Sequence, residues 1–138
     1  MLHADSTSQK YRRTNIHFVL LAVTGANRGI GLGIAECCLV NDPKKVYSID
    51  LAEPGDDFHQ VAKRFDGRLA ALTANVTQKE MVAAAIEQVV SEAGAWHGMV
   101  VNAGQTHHKA ALDFTAEKFQ ALFSGNVSGC KFLYLLYA

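Results

Sequence analysis

The sequence predicts an α/β fold on a parallel sheet of about four strands, and three observations lead there. Apolar runs of strand length alternate with longer segments of helical period, the rhythm of consecutive βα units, and the pattern repeats four times. The first run, Phe18 to Thr24, is apolar without alternation, as a strand is when helices cover both of its faces. It passes directly into Thr24-Gly25-Ala26-Asn27-Arg28-Gly29-Ile30-Gly31, a glycine-rich junction between a strand and a helix.

The helix after this turn is expected over residues 29–40, with an apolar stripe at Ile30, Ile34, Cys37 and Cys38 that sets both cysteines against the sheet. Asn41-Asp42-Pro43 stops it. A second strand follows from Val46 to Asp50. Glu53-Pro54-Gly55-Asp56-Asp57 is turn chemistry, after which Phe58, Val61, Ala62 and Phe65 mark a short helix closed by Asp66-Gly67. Arg68 to Thr73 reads as a third strand. Thr77-Gln78-Lys79-Glu80 has the form of a capping box, in which a hydroxyl and a carboxylate satisfy open backbone N–H groups. It leads into a stripe at Met81, Ala85, Ile86 and Val89 that ends near Gly94. Trp96 is expected to pack just ahead of a fourth strand, Met99 to Ala103, which breaks at Gly104. Thr115, with Asp113 as a neighbouring cap, then opens a last helix through Phe119, Leu122 and Phe123 toward Tyr137. Gly125 and Gly129 interrupt that helix at roughly 1 kcal/mol each relative to Ala, so something must pack closely there or the helix is weak.

Composition narrows the class. The chain has 138 residues, with 13 Lys plus Arg against 13 Asp plus Glu, 49% hydrophobic and 19% charged residues, which describes one ordinary globular unit rather than a disordered or collagenous chain. A formal charge of +0 offers no basic field for a phosphate backbone, so nucleic acid is not an expected partner. The longest early apolar run, Ile16 to Val23, falls well short of the ~20 residues that span a bilayer, and no membrane crossing is expected. Lys10, Arg12 and Arg13 ahead of that run also have the form of a signal peptide. The competing reading, a buried strand, accounts better for a run that enters a glycine turn. Residues 1–15 are polar and unpatterned and are expected to be a tail, with 16–138 the folded unit. Cys37, Cys38 and Cys130 are an odd, poorly spaced set for disulfides or zinc, which fits a reducing, cytoplasmic setting. His107-His108 would need further converging ligands to hold a metal and reads as an ordinary loop; no metal site is expected.

The glycine turn is the informative feature. A chain leaving a strand and entering a helix through glycines presents bare N–H groups and the positive end of the helix dipole to a phosphate. Gly25 permits the tight turn, Gly29 lets a pyrophosphate approach the backbone, and Gly31 lets the helix lie close to the sheet. Asp50, 25 positions beyond Gly25 at the end of the next strand, is placed to accept hydrogen bonds from an adenosine ribose. That favours NAD. Arg28 in the turn could instead pair with a 2′-phosphate, which favours NADP, so the two cofactors stay open at this point. A glycine loop that only permits a turn, and an Arg28 that is only a solvated loop charge, are the plainer alternatives.

The spacing Thr-Gly-x-x-x-Gly-x-Gly at 24–31, with Asn102-Ala103-Gly104 after the fourth strand and Asn126 in the helix beyond, resembles the short-chain dehydrogenase/reductase family. Within it, the fungal sorbose-reductase or mannitol-dehydrogenase type is the most similar. The resemblance runs from about Phe18 to Cys130. It implies a Rossmann-like three-layer α/β/α fold with strand order 3-2-1-4, a nicotinamide dinucleotide, and hydride transfer between a small-molecule alcohol and a ketone. It assigns Thr24, Gly25, Asn27, Arg28, Gly29, Ile30 and Gly31 to the phosphate and ribose turn and Asp50 to the adenosine ribose. Asn75 falls near the adenine where the family usually has Asp, and Val76 would pack on the ring. Asn102, Ala103 and Gly104 would lie beneath the nicotinamide ribose. Asn126 would hold a proton-relay water on its main-chain carbonyl, with a local helix geometry altered by the preceding Gly125.

The same resemblance implies a Ser, a Tyr and a Lys four residues after that Tyr, whose charge lowers the Tyr pKa. Tyr11, Tyr47 and Tyr134 are followed four positions on by Asn15, Leu51 and Ala138, and Tyr137 stands too near the end to have such a partner. The expectation is therefore about half of the family domain, ending within the helix that carries Asn126, and without catalysis from this chain alone. A non-catalytic nucleotide-binding module and a non-functional truncation product are the other readings. An unpaired fourth strand and a last helix showing Phe132, Leu133, Leu135 and Leu136 to water would invite self-association.

Overall fold

The computed structural model describes residues 16–137, with side chains through Leu133; the expected 1–15 tail and the side chains of Leu135 and Leu136 lie outside the described residues. Four parallel strands form one sheet in the order β3-β2-β1-β4. They are β1 Leu20–Thr24, β2 Lys45–Asp50, β3 Leu69–Thr73 and β4 Gly98–Val100. Between them run the helices α1 Gly29–Val40, α2 Asp56–Arg64 and α3 Lys79–Ala93.

Period-two alternation divides the sheet's side chains between two cores. Val23, Val46 and Leu69 pack under α1 and α2 against Leu32, Ala35, Leu39, Phe58 and Val61. Ala22, Tyr47 and Ile49 pack on the opposite face against Ala85 and Val89 of α3, with Trp96 at the margin. Helices on both faces explain why β1 carries no polar alternation. The three-layer architecture and strand order match the expectation.

Several details differ from the expected elements, each for a local reason. The first strand begins at Leu20, because Val19 N–H bonds back to Ile16 O at 2.7 Å and the turn leaves Phe18 exposed. In α1 the buried face is Gly31, Leu32, Ala35 and Leu39, not the Ile30 and Cys37 stripe; Ile30 is 81% exposed and Cys37 is exposed, while Cys38 is half-buried. The helix is apolar nearly all round, so periodicity could not choose a face, and the seat of Gly31 on the turn fixed which side meets the sheet. Thr77 does not cap α3. Its N–H and hydroxyl both donate to Asn75 Oδ1, at 3.0 and 2.8 Å, which makes an Asx turn and leaves Gln78 at the helix start without a side-chain cap. The helix ends as expected at Gly94, left-handed at φ 78°, with its N–H on Val90 O.

The fourth strand is three residues long rather than five. After Val100 the N–H groups of Asn102 and Ala103 turn to Thr24 Oγ1, at 3.0 and 2.9 Å, and so leave the ladder. Beyond an irregular loop and a 3₁₀ turn at Ala111–Asp113, Thr115 caps α4, Ala116–Phe123. The expected continuous helix is then broken by a π-helical turn at Ser124–Ser128 before α5, Gly129–Tyr137. Leu133 is 1% exposed and Phe132 is half-buried, because α5 packs against α3; the predicted water-facing display of these two residues is not what forms. Gly129 sits on Val76, where a Cβ would come within 3.0 Å of its Cγ2. That close packing is what the interior glycine permits. Among the described residues no helix is long and apolar enough to cross a membrane.

Candidate functional site

A cleft of about 650 Å³ opens where the sheet's C-terminal edge meets the start of α1. Parallel strands deliver their C-terminal ends, and the loops that follow them, to one rim, and the positive end of α1 points there. Gly25, Arg28, Gly29, Ile30 and Gly31 form one wall, Asp50, Leu51 and Ala74 to Thr77 a second, and Asn102 to Gln105 with Ala121, Ser124 and Gly125 a third.

The glycines have separate causes. Gly25 is left-handed at φ 66°, and a Cβ on it would stand 2.9 Å from Ala103 Cα. A Cβ at Gly31 would lie 2.2 Å from Gly25 O and 2.6 Å from Asn102 Nδ2, so this glycine seats α1 on the turn. Gly29, at φ 58°, has nothing within 4 Å of where its Cβ would be. Backbone and open space therefore coincide at the first residue of a helix, which is the shape an anionic group requires.

Thr24 and Asn27 do not line the cleft. Thr24 is fully buried and holds Asn102 and Ala103 by accepting both their N–H groups. Asn102 Nδ2 in turn donates to the carbonyls of Thr24 and Gly25, at 3.1 and 3.3 Å. Asn27, 4% exposed, accepts from Ser48 Oγ at 2.7 Å and donates its Nδ2 to Ala52 O. Its backbone N–H donates to Asp50 Oδ2 at 3.0 Å, while Ala52 N–H donates to Asp50 Oδ1 at 3.0 Å. The Asp50 carboxylate is thus fixed at the cleft wall with both oxygens engaged and lone pairs to spare. Arg28 is exposed at the lip of the cleft.

Asn75 and Val76 line the second wall. Asn75 spends its carbonyl oxygen on Thr77, leaving its amide N–H groups as the donors on that side. Asn126 lies behind the third wall rather than in it. Its side chain brackets Gln105, accepting from the backbone N–H at 2.8 Å and donating to the carbonyl at 2.9 Å. It thereby holds the loop that carries Gly104. Its own main-chain carbonyl accepts the Cys130 thiol at 3.1 Å. Ser48 and Gln105 take part in this arrangement and had no signal in the sequence, because each acts through a partner 21 residues away that only the fold brings near, whereas Thr77, read as a helix cap, serves instead in the local turn with Asn75. Tyr47 is buried in β2 and donates to Glu92 Oε2 at 3.3 Å, away from the cleft. His107 and His108 are exposed in the loop after Gln105, and the described residues contain no group of three His, Cys, Asp or Glu able to hold a metal ion.

The family model described as short chain dehydrogenase matches residues 20–135. The chain belongs to the short-chain dehydrogenase family. Among the family's curated members, acetoacetyl-CoA reductase of Synechocystis sp. is 31% identical over 110 residues, 80% of this chain and 42% of that one. Fluoren-9-ol dehydrogenase of Terrabacter sp. is 30% identical over 119 residues, 80% of this chain and 33% of that protein. The chain spans 33% to 43% of the length of the curated relatives it matches. The fold agrees: a glucose/ribitol-type short-chain dehydrogenase/reductase from Brucella melitensis superposes with a TM-score of 0.78 at 22% identity, covering 88% of this chain and 51% of that one. NADPH-dependent 3-quinuclidinone reductase from Rhodotorula rubra gives 0.74 at 24% identity over 88% of this chain and 48% of its own. Short-chain dehydrogenases use nicotinamide cofactors, and the residues here fit one: the open backbone at Gly29, the carboxylate of Asp50 and the apolar side of Val76 lie along a single cleft.

Proposed function

We propose that this cleft binds a nicotinamide dinucleotide and that the whole protein is an oxidoreductase interconverting a small-molecule alcohol and ketone. The observation that carries the reading is the unobstructed backbone at Gly29, at the N-terminus of α1 and beside the central strand β1. The amides of Gly29 to Gly31 would hold the diphosphate, Asp50 the adenosine ribose hydroxyls, Asn75 and Val76 the adenine, and Asn102 to Gly104 the nicotinamide ribose. Bound there, the dinucleotide supplies or accepts the hydride. Thr24 and Asn126 would keep the third wall in place.

Between the two cofactors the geometry favours NAD. A 2′-phosphate beside Asp50 would have to displace a carboxylate held by two N–H donors, or stand against its charge. Titration of the protein with NADH, followed by nucleotide fluorescence, is expected to saturate, with weaker binding of NADPH. The absence of saturable binding by either would overturn the reading. The described residues supply the cofactor part of the site, and no Tyr in the sequence is followed four positions on by Lys, so binding without turnover is expected from these 138 residues. The relatives act on a CoA ester, a sugar acid and a polycyclic alcohol by their names, so the substrate is proposed only as an alcohol or ketone. Three free thiols support a reducing, cytoplasmic setting.

A second reading concerns assembly. Among the described residues β4 has β1 alone beside it in the sheet, and Val101 just after it is 40% exposed. An apolar edge of this kind pairs with another strand, and we propose self-association there.

A further inference from the structure

We propose that Asn27 is a positioning residue that sets the discrimination between NAD and NADP by stapling the glycine turn to the end of β2; this rests on the dinucleotide reading of the cleft. Asn27 bonds to three alternate residues of the neighbouring segment. Its Oδ1 accepts from Ser48, its backbone N–H donates to Asp50, and its Nδ2 donates to Ala52 O. The amide orientation is fixed by chemistry, because a carbonyl such as Ala52 O can only accept and so must face the nitrogen. Asn27 and Ser48 are both buried, so the bond between them is shielded from competing water, while the bond to the exposed Ala52 lies at the rim.

The consequence is geometric. Arg28 immediately follows Asn27, and Asp50 lies between the two side-chain anchors, so one residue fixes how far the turn's cation stands from the strand's carboxylate. Ser48 holds the strand side and Ala52 O the loop side. With both in place, the Asp50 carboxylate cannot retreat from an incoming ribose. Without them, residues 50–52 are free to withdraw, and a 2′-phosphate gains room beside Arg28. Asn27 does not line the cleft, and its side-chain amide is engaged by Ser48 and Ala52. Its effect therefore falls on selectivity and not on diphosphate binding.

The test compares wild type with Asn27→Ala, Asn27→Ser and Ser48→Ala by fluorescence titration with NADH and NADPH, alongside thermal melting. Asn27→Ala is expected to lower the NADH-to-NADPH affinity ratio about tenfold, the equivalent of ~1.4 kcal/mol, mainly by improving NADPH binding. Asn27→Ser, which keeps one hydroxyl in the same space, is expected to restore part of the ratio, and Ser48→Ala to shift it in the same direction as Asn27→Ala. Equal loss of both affinities with an unchanged ratio would show a merely structural role and overturn the proposal while leaving the dinucleotide reading intact. Should Asn27→Ala fail to fold, the ratio in Ser48→Ala decides in the same way. If wild type bound neither nucleotide, the reading of the cleft would fail and this proposal with it.

Discussion

Gly31 and Gly33 stand two residues apart in α1, and substitution by Ala should have opposite outcomes at the two. A methyl group at Gly31 would collide with the Gly25 carbonyl at 2.2 Å, a backbone atom that cannot move without opening the turn. Gly31→Ala is expected to cost about 1–3 kcal/mol in a urea melt and to abolish dinucleotide binding. Gly33 has open space around it and lies within the helix, so Gly33→Ala should stabilise by about 0.5–1 kcal/mol in the same measurement. Equal effects from the two would contradict this packing of α1 on the turn. Thr24 makes a related case, because its hydroxyl oxygen is the acceptor for two amides that have left the β4 ladder. Thr24→Val strands both at about 1–3 kcal/mol each, whereas Thr24→Ser, which keeps the oxygen, should lose much less.

At the scale of elements, the last helical region shows how tertiary contact overrides pattern. Residues 115–137 read as one amphipathic helix weakened by two glycines, and the chain resolves this as α4, a π-helical turn and α5. The extra residue in the turn rotates α5 relative to α4, and with α5 packed on α3, Leu133 is buried and Gly129 lies on Val76. Leu133→Ala should therefore destabilise by about 2–5 kcal/mol, read from denaturant unfolding. A change below ~0.5 kcal/mol would place Leu133 in solvent instead, where surface substitutions have effects of that size. The second helix behaves more simply. It carries Asp56 and Asp57 in its first turn and Lys63 and Arg64 in its last, in line with the helix dipole, and forms where its sequence indicates.

For the whole molecule, the open edge of β4 is the feature with a measurable consequence. Among the described residues, strand order β3-β2-β1-β4 leaves that edge without a second neighbouring strand and with Val101 partly exposed beside it. Sedimentation velocity at micromolar concentration should show a concentration-dependent species above monomer, and Val101→Lys should reduce it by placing a charge at the edge. A wild-type chain that sediments as a monomer throughout would refute association by this route. The parallel sheet and the glycine turn were legible in advance, because alternation of apolar runs and a glycine junction are local signals that directly encode βα units, while the strand order was implied only by the family resemblance. The Asn27–Ser48 staple was not legible, since neither residue is unusual where it stands and the contact spans 21 positions. Nor was the buried face of α1, where an almost wholly apolar helix left the choice to the sheet beneath it.

The sequence by itself determined the succession of strands and helices, the glycine turn at the head of α1 and the carboxylate that ends β2. These are set by spacing along the chain, and backbone sterics act over a few residues. Only the tertiary structure decided that Thr24 and Asn27 brace the cleft instead of lining it, that Asp50 is pinned by two amides, and that Asn126 holds Gln105. Hydrogen-bond partners distant in sequence are chosen by which loops the parallel sheet gathers at one rim, and that choice exists only once the strands have paired.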